Sequence, residues 1–593
     1  MAPEGKQTTK IMFVPYRQAK SKKAEQASTA DDEISPQKHA AREYHRKARI
    51  IRQQADSNTQ DKRHPRKKTQ ATKDRTPTAA RPNKEGVQEA EDEDTQASNI
   101  KVIDPGAGQL DPFNIVVPNN LPSYVLEMLD YGVSILQSGI TLCLLHYPPV
   151  IPNEHTALSL QENVTSKAPS STVTALAHLR DVVVSCSLHS PASFYTIALA
   201  GATHKSYSSG ESHKIKIVRL QYAVQAIKEL NLELQTLAGE PADALLFCIS
   251  LLAAHASSGD HAAVPVKEQA RSPLATAQTQ YYGSLRWEDT HMKAIRLLVA
   301  RKGGLHKVKL PGIANVLGLA DIFMSWLNLT RPAWPLLAPT SLVLSTWPDP
   351  PPNLPAIFTH MTTGFDILPK TLTTTPLFDT IVNIRDITVG YDMYLSQHPD
   401  APSLVQILWA RNSVTHDLLS LNPTLTSGDL AAAAHYARQD TPEPQVRAEA
   451  MTDIAHLQAL YQVVRSSTLA YTLLVLFPMP RVAGVHSALA KQIMIALKGC
   501  IGLELWSDNT GYMNLLLWSV VVGGVVAEED STMREWFVGL LLRQIPVSCE
   551  EEAWDKVRKV ITRFLWFDGP ECEGVGRELW MDVCEINCDD EDE

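Results

Sequence analysis

Cysteine is scarce in this chain, and its scarcity limits the chemistry that the chain can carry. The 593 residues include eight cysteines, and none occurs before position 143. They are too few and too scattered for a disulfide framework, and no two have the Cys-x-x-Cys spacing of a zinc site. We therefore expect a reducing compartment, cytoplasm or nucleus, and no metal or cofactor. Four cysteines stand in apolar surroundings and are predicted to be buried thiols: Cys143, Cys186, Cys248 and Cys500.

Catalytic signatures are lacking as well. The sequence has no Gly-x-Ser-x-Gly elbow and no His-Glu-x-x-His helix. Gly303 and Gly304 do not have the spacing of a phosphate-binding loop, and they are predicted to end the preceding helix. His291 and His306 flank that helix and are predicted to be cap or surface residues. Nothing in this inventory argues for an enzyme.

The C-terminal cysteines also offer little for a metal. Cys584 and Cys588 stand at i and i+4 and share one side of any helix that contains them. No further ligand at finger spacing accompanies them, so we interpret these residues and Cys572 as spare thiols near a frayed end. Residues 582–593 are predicted to form an acidic tail.

The most apolar segment of the chain is too short to span a membrane. The most apolar segment, from Tyr512 to Ala527, has 16 residues and contains Gly523 and Gly524. A bilayer requires roughly 20 residues, so this segment predicts a buried helix.

Charge is divided unevenly along the chain. Residues 1–90 hold 21 Lys or Arg and 11 Asp or Glu, whereas the rest of the chain holds 34 and 54. Residues 1–99 have almost no aliphatic clusters, which predicts a disordered basic arm. Within that arm, residues 37–54 contain neither Gly nor Pro and predict one short helix. Such asymmetry indicates a basic arm with an anionic or receptor partner, attached to an acidic body.

The arm carries two sets of cations with a functional interpretation. One is the dense cluster within residues 62–68, which favours nuclear import or phosphate contact over a merely solvated linker. Its residues are Lys62, Arg63, Arg66, Lys67 and Lys68. The other is a stripe on one side of the predicted helix that fits a phosphate backbone, and any such binding would depend on salt. Its residues are Lys38, Arg42, Arg46 and Arg49.

From residue 100 to 581 the pattern is helical, with proline-rich loops and scarce two-residue alternation, which predicts an all-α domain with few strands. Residues 332–355 cannot lie inside a helix and are expected to join two helical halves. Thr532 with Glu535, and Ser548 with Glu551, predict capping boxes. Two sets keep the 3.6-residue period and predict inward helix faces: Ile217, Leu220, Val224 and Ile227; and Trp554, Val557, Ile561 and Phe564.

Several motifs follow one another along the chain. The first runs from Trp287 to Gly304, the next from Leu310 to Asp321, a late one from Leu517 to Phe537 and a last one from Trp554 to Trp580. In this order they resemble the fungal-specific transcription factor domain, the regulatory domain found behind many fungal binuclear zinc clusters. Residues 13–49 resemble a leader of such proteins. The resemblance implies a helical regulatory module, although packing alone explains its tryptophans and glycines.

The chain departs from this family at the DNA reader. The family's zinc cluster needs six cysteines, and residues 1–142 contain none. The leading hypothesis is therefore a nuclear regulator of target genes that lacks a zinc-cluster reader, and a metabolic gene cluster is one candidate set of targets. Its expected partners are a nuclear import receptor and either DNA or a DNA-binding protein, and a homodimer is left open. The alternative is a scaffold that does not bind DNA, or a small-molecule sensor of the same fold.

Overall fold

A computed structural model describes the following parts of the chain, to which all structural statements below refer. They are Gly132 and residues 182–187, 189–210, 212–257, 272–275, 279–348, 356–428, 446–507, 511–529, 531–544, 551–569 and 572–591.

This part of the chain is all-α, as the sequence predicted, and contains no strand. Short 3-10 turns at Leu305–Lys307, Thr363–Ile367 and Arg481–Ala483 and a π-helical turn at Thr472–Leu476 supplement the α-helices. The α-helices are α1 (Pro191–Ser209), α2 (His213–Thr236), α3 (Asp243–His255), α4 (Gln280–Ser284), α5 (Asp289–Lys302), α6 (Ile313–Asn328), α7 (Thr340–Leu344), α8 (Ala356–His360), α9 (Lys370–Thr373), α10 (Pro376–Leu395), α11 (Leu404–Ser420), α12 (Val446–Tyr471), α13 (Val485–Gly502), α14 (Met513–Val526), α15 (Thr532–Gln544), α16 (Glu551–Ile561) and α17 (Glu573–Glu591).

Two large hydrophobic clusters form most of the core, and α6 contributes to both; a third, small cluster consists of Ala254, Tyr281 and Leu285. The N-terminal cluster contains residues from α1, α2, α3, α5 and one side of α6. The C-terminal cluster contains Leu274, the other side of α6 and buried residues as far as Val583. Phe323 and Trp326 of α6 enter the C-terminal cluster beside Phe477, with ring centroids 5.1 and 6.1 Å away. The opposite side of α6 faces the N-terminal cluster at i, i+4, i+7 and i+11, with Ile313, Leu317, Ala320 and Met324.

The inward face predicted for α2 is wrong for two of its four residues. Ile227 is buried, but Leu220 and Val224 are exposed. Helix α2 lies along α1, and the ring of Tyr222 in α2 lies 6.3 Å from that of Tyr195 in α1. Small side chains allow helices to approach closely, so α2 turns a partly alanine-lined face inward and leaves two aliphatic residues outside. That buried face consists of Arg219, Tyr222, Ala223, Ala226, Ile227 and Leu230.

Helix α14 is the buried apolar helix that the sequence predicted, with every residue from Leu515 to Val526 buried. A Cβ on Gly523 would collide with the ring of Phe537 from α15, and one on Gly524 would lie 2.8 Å from Leu579 of α17. The two glycines therefore allow α15 and α17 to approach α14 closely, in agreement with the packing role given to the glycines of the motifs.

The face predicted for α16 is confirmed, since Trp554, Val557, Ile561 and Phe564 are all buried. Trp554 and the neighbouring Trp566 pack around Gly576 of α17, where an added Cβ would meet both indole rings within about 3.0 Å. Packing accounts for these aromatic residues, as the sequence suggested.

Helix ends agree with the sequence in some places and shift in others. Gly303 ends α5 with φ 94°, and the amide of Gly304 donates to the carbonyl of Val299, which is a Schellman arrangement. At α15 the capping hydroxyl belongs to Ser531, which accepts from the amide of Arg534, rather than to Thr532 as predicted. Either hydroxyl can accept such a bond, and the helix begins one residue earlier than the pattern indicated. Ser548 lies outside the described residues.

The proline-rich segment after α6 does not separate two halves. Its described part, residues 332–348, contains α7, and Thr340 and Val343 of that helix are buried. Residues on both sides of the segment belong to one compact unit. The boundary between the two hydrophobic clusters lies in α6 instead, because both faces of that helix are apolar.

Candidate functional site

A small cavity lies where α6 and α11 meet the segment that follows α6. Its volume is about 70 Å³. The segment around Trp334 closes one side, and α11 supplies most of the polar groups. Its lining residues include Asp321, Trp334 and His416.

Asp321 anchors this region. Its carboxylate is 2% exposed, and Oδ1 accepts from the guanidinium of Arg296 in α5 at 2.9 Å. The other oxygen, Oδ2, accepts from the amides of Ala333 and Trp334 at 2.6 and 3.2 Å. One side chain thus ties α5, α6 and the segment after α6 together, and a buried carboxylate with three such donors is well compensated.

His416 fixes the same segment from α11. Its Nε2 lies 2.8 Å from the carbonyl of Trp334, so Nε2 carries the proton and donates. Its Nδ1 lies 3.4 Å from Oγ of Ser420. A catalytic serine–histidine pair requires a ring oriented by a carboxylate or similar group and an oxyanion site beside the hydroxyl. Here the ring is held by a backbone carbonyl, and the serine is the last residue of a helix, so the contact is explained as helix-end structure.

Asp417 of α11 is a second acidic group near this cavity. Its Oδ2 accepts from Oγ1 of Thr340 at 2.5 Å, which fixes α7 against α11. Burial raises the pKa of Asp417 above its usual range, and the bond from Thr340 and the nearby His416 oppose that shift.

The cavity can hold water but not a metabolite of ordinary size. Its volume of about 70 Å³ is well below the roughly 300–1,000 Å³ of typical ligand pockets. Asp321 and both ring nitrogens of His416 already have protein partners. The site therefore works as an internal fastener between helices, and it does not favour the sensor alternative.

Two interpretations of titratable residues need correction. His291 is buried, not a cap or surface residue, because it lies on the side of α5 that faces α3. Burial lowers the pKa of His291 to about 4, and a hydrogen bond with the backbone of Leu252 opposes this shift. His306 is exposed, as predicted. Cys572 is fully buried and α17 runs from Glu573 to Glu591, so the chain around Cys584 is helical rather than frayed.

The other described cysteines are free thiols, as expected. Cys186, Cys248 and Cys500 are buried, and burial raises the pKa of each to about 12. No group of three or more potential metal ligands occurs among the described residues.

The residues of the resembling motifs occupy structural positions. Trp518 donates from Nε1 to the carbonyl of Leu565 at 2.8 Å, and its ring stacks on Phe564. The guanidinium of Arg534 donates to the carbonyl of Gly524 at 2.9 Å and pairs with Asp582. Both interactions hold α14 against later helices.

The cation sets of the arm lie outside the described residues, so the structure does not place them. These are Lys62, Arg63, Arg66, Lys67 and Lys68, and Lys38, Arg42, Arg46 and Arg49.

One described helical stretch, Ile454–Leu476, is long and apolar enough to span a membrane by composition, and 83% of that window is buried inside the fold. A core helix passes the same test.

The sequence interpretation missed the roles of Asp321 and His416. A signal was present for Asp321, which is the only charged residue in the apolar sequence of α6. A lone charge on a helix with two apolar faces must find compensation on folding. No comparable signal marks His416, because its partner is a backbone carbonyl distant in sequence.

Comparison with known proteins yields no relative: no family model, no curated protein and no solved structure matches the chain.

Proposed function

We propose that this chain is a transcription-regulator-like protein that acts in the nucleus. In this proposal the helical body is a regulatory and interaction module, the arm supplies nuclear import, and no zinc cluster reads DNA. The observation that carries the proposal is the order of the motifs that resemble the fungal regulatory domain. Their tryptophans, glycines and arginine lie at packing positions of one all-helical body, as a structural module requires.

The described polar residues add support of a different kind. Asp321 and His416 are used to hold helices together, and the cavity beside them is of water size. A module that works through its surface needs no more chemistry than this.

Nuclear import is tested by imaging the full chain as a fluorescent fusion in fungal cells. The variant replaces Arg63, Arg66, Lys67 and Lys68 with alanine, and we expect it to lose nuclear accumulation. The matched control removes the same number of cations from the predicted helix of the arm and should remain nuclear. Unchanged nuclear accumulation of the first variant contradicts the import role.

Direct DNA contact is tested with the same two variants as purified full chains. If the stripe that includes Lys38 and Arg49 follows a phosphate backbone, its alanine variant lowers duplex affinity and the slope of log affinity against log salt. Chromatin crosslinking of the tagged chain then distinguishes direct DNA contact from recruitment by a DNA-binding partner. Sharp peaks that survive loss of the stripe indicate a DNA-binding partner, and a flat profile contradicts the proposed function.

A further inference from the structure

Helix α2 presents an apolar face to solvent. Leu220, Val224 and Leu232 are 40%, 52% and 51% exposed. With the half-buried Ile217 they occupy one side of the helix over about 22 Å, roughly four turns. The inward side of the same helix holds Arg219, which is buried. Aliphatic residues outside and an arginine inside reverse the usual arrangement, so folding of the described chain does not explain the outer side.

The charges beside this apolar side are of one sign. Lys214 and Lys228 are exposed there and make no ion pair with any described residue. The two described carboxylates of α2, Glu229 and Glu233, are half-buried, unlike the two exposed lysines. Glu229 accepts from the side-chain amide of Gln225 at 2.9 Å, and one carboxylate oxygen of Glu233 is buried. The outer side is therefore apolar and basic.

We propose that this outer side of α2, named the α2 face and defined by Ile217, Leu220, Val224 and Leu232 with the two lysines, docks an acidic amphipathic helix of a partner protein. The length of the apolar stripe fits a partner helix of about four turns. Carboxylates beside the partner's apolar stripe find cations on the α2 face and no competing acid.

Charge also argues against a second copy as the occupant. A two-fold pairing of α2 with itself places the same patch on both sides of the interface. Such pairing brings together four lysine side chains, two of Lys214 and two of Lys228, with no exposed carboxylate of α2 to oppose them. An acidic partner removes that repulsion.

This inference rests on the proposed role as an interaction module and names the surface and its partner's chemistry. It is tested on the full chain with a labelled synthetic helix that has leucine at its apolar positions and glutamate at the others. A second peptide replaces glutamate with lysine. Binding is followed by fluorescence anisotropy at low and at physiological salt, and we expect the acidic peptide alone to bind, more weakly as salt rises.

Three variants locate the interaction. The pair Leu220→Ser and Val224→Ser should weaken binding by at least about tenfold, the scale typical of central contacts. The pair Lys214→Glu and Lys228→Glu should reverse the preference toward the lysine peptide. The control Leu297→Ser alters a residue of α5 that is 56% exposed and should leave binding unchanged. Since all of these side chains are exposed, circular dichroism should be the same for every variant.

Several outcomes overturn the inference: no binding of the acidic peptide, equal binding of both peptides, or full binding by the serine pair. A dimer in light scattering that the serine pair dissociates assigns the face to a second copy and also overturns it. If the acidic peptide does not bind the α2 face, nuclear accumulation and chromatin peaks are unaffected. Failure of this inference is therefore distinguishable from failure of the proposed function.

Discussion

Replacement of Asp321 by alanine tests the buried fastener between α5, α6 and the segment after α6. The change removes the partner of Arg296 and leaves two backbone amides, those of Ala333 and Trp334, without an acceptor. Breaking a buried ion pair costs about 3–5 kcal/mol. The side chain of Arg296 is 32% exposed and regains some hydration, so we expect the lower end, about 3 kcal/mol.

The measurement is equilibrium urea denaturation followed by circular dichroism, with the slope compared between variants so that a change in the unfolded state is recognised. Asp321→Asn retains an oxygen for the amides and loses the charge, so its loss of stability should be intermediate. The matched control is Asp289→Ala, whose pair with Lys293 is more than half exposed on both sides. An exposed pair contributes at most about 1 kcal/mol. If Asp321→Ala costs no more than this control, the fastener does not stabilise the fold.

Three further results are expected from the buried groups. Burial lowers the pKa of His291 from 6.5 to about 4, so between these pH values the unfolded chain binds more protons than the folded chain. The free energy of unfolding should therefore fall by up to about 3 kcal/mol as the pH drops from 6.5 to 4. In His291→Gln this pH-dependent fall should be smaller. Gly523→Ala collides with Phe537 and should lower stability by about 1–3 kcal/mol in urea denaturation, whereas Gly499→Ala, with open space in helix α13, should raise it by about 0.5–1 kcal/mol. With burial raising its pKa to about 12, Cys248 should resist a thiol reagent in mass-spectrometric labelling at pH 8 until the chain unfolds, and rapid native labelling contradicts that burial.

The fold class could be predicted because helical signals repeat along the body and agree with one another. In α16 the apolar residues occur only on one side, so Trp554 and Ile561 were assigned to the core correctly. In α14 nearly every residue is apolar, and burial on all sides was the one arrangement open to it. Where the composition of a helix allows only one buried side, or burial on all sides, its periodicity is sufficient to predict its orientation in the core.

Orientation is harder to predict for helices that are apolar on more than one side. In α2, both the stripe with Leu220 and Val224 and the stripe with Ala223 and Ala226 have helical spacing. The larger side chains favour the first stripe by transfer free energy alone. The structure selects the second: Ala223 and Ala226 are buried where α2 lies along α1, and this packing depends on a partner that the sequence of α2 does not contain.

Candidate sites fail to appear in the sequence for the same reason. At the cavity, Asp321 is bonded to backbone amides of the following segment and His416 to a backbone carbonyl. Because every residue has a backbone carbonyl and nearly every residue a backbone amide, the residue types of these partners do not mark the site in the sequence. What the sequence does contain is the first of two anomalies, a single acid in an apolar helix; the second, two aliphatic residues on a helix face that folding leaves outside, is visible only in the structure. The first anomaly is resolved within the described chain, by Arg296 and two amides. The second is not resolved there, and for this reason we propose the α2 face, but not the site at Asp321, as a docking surface.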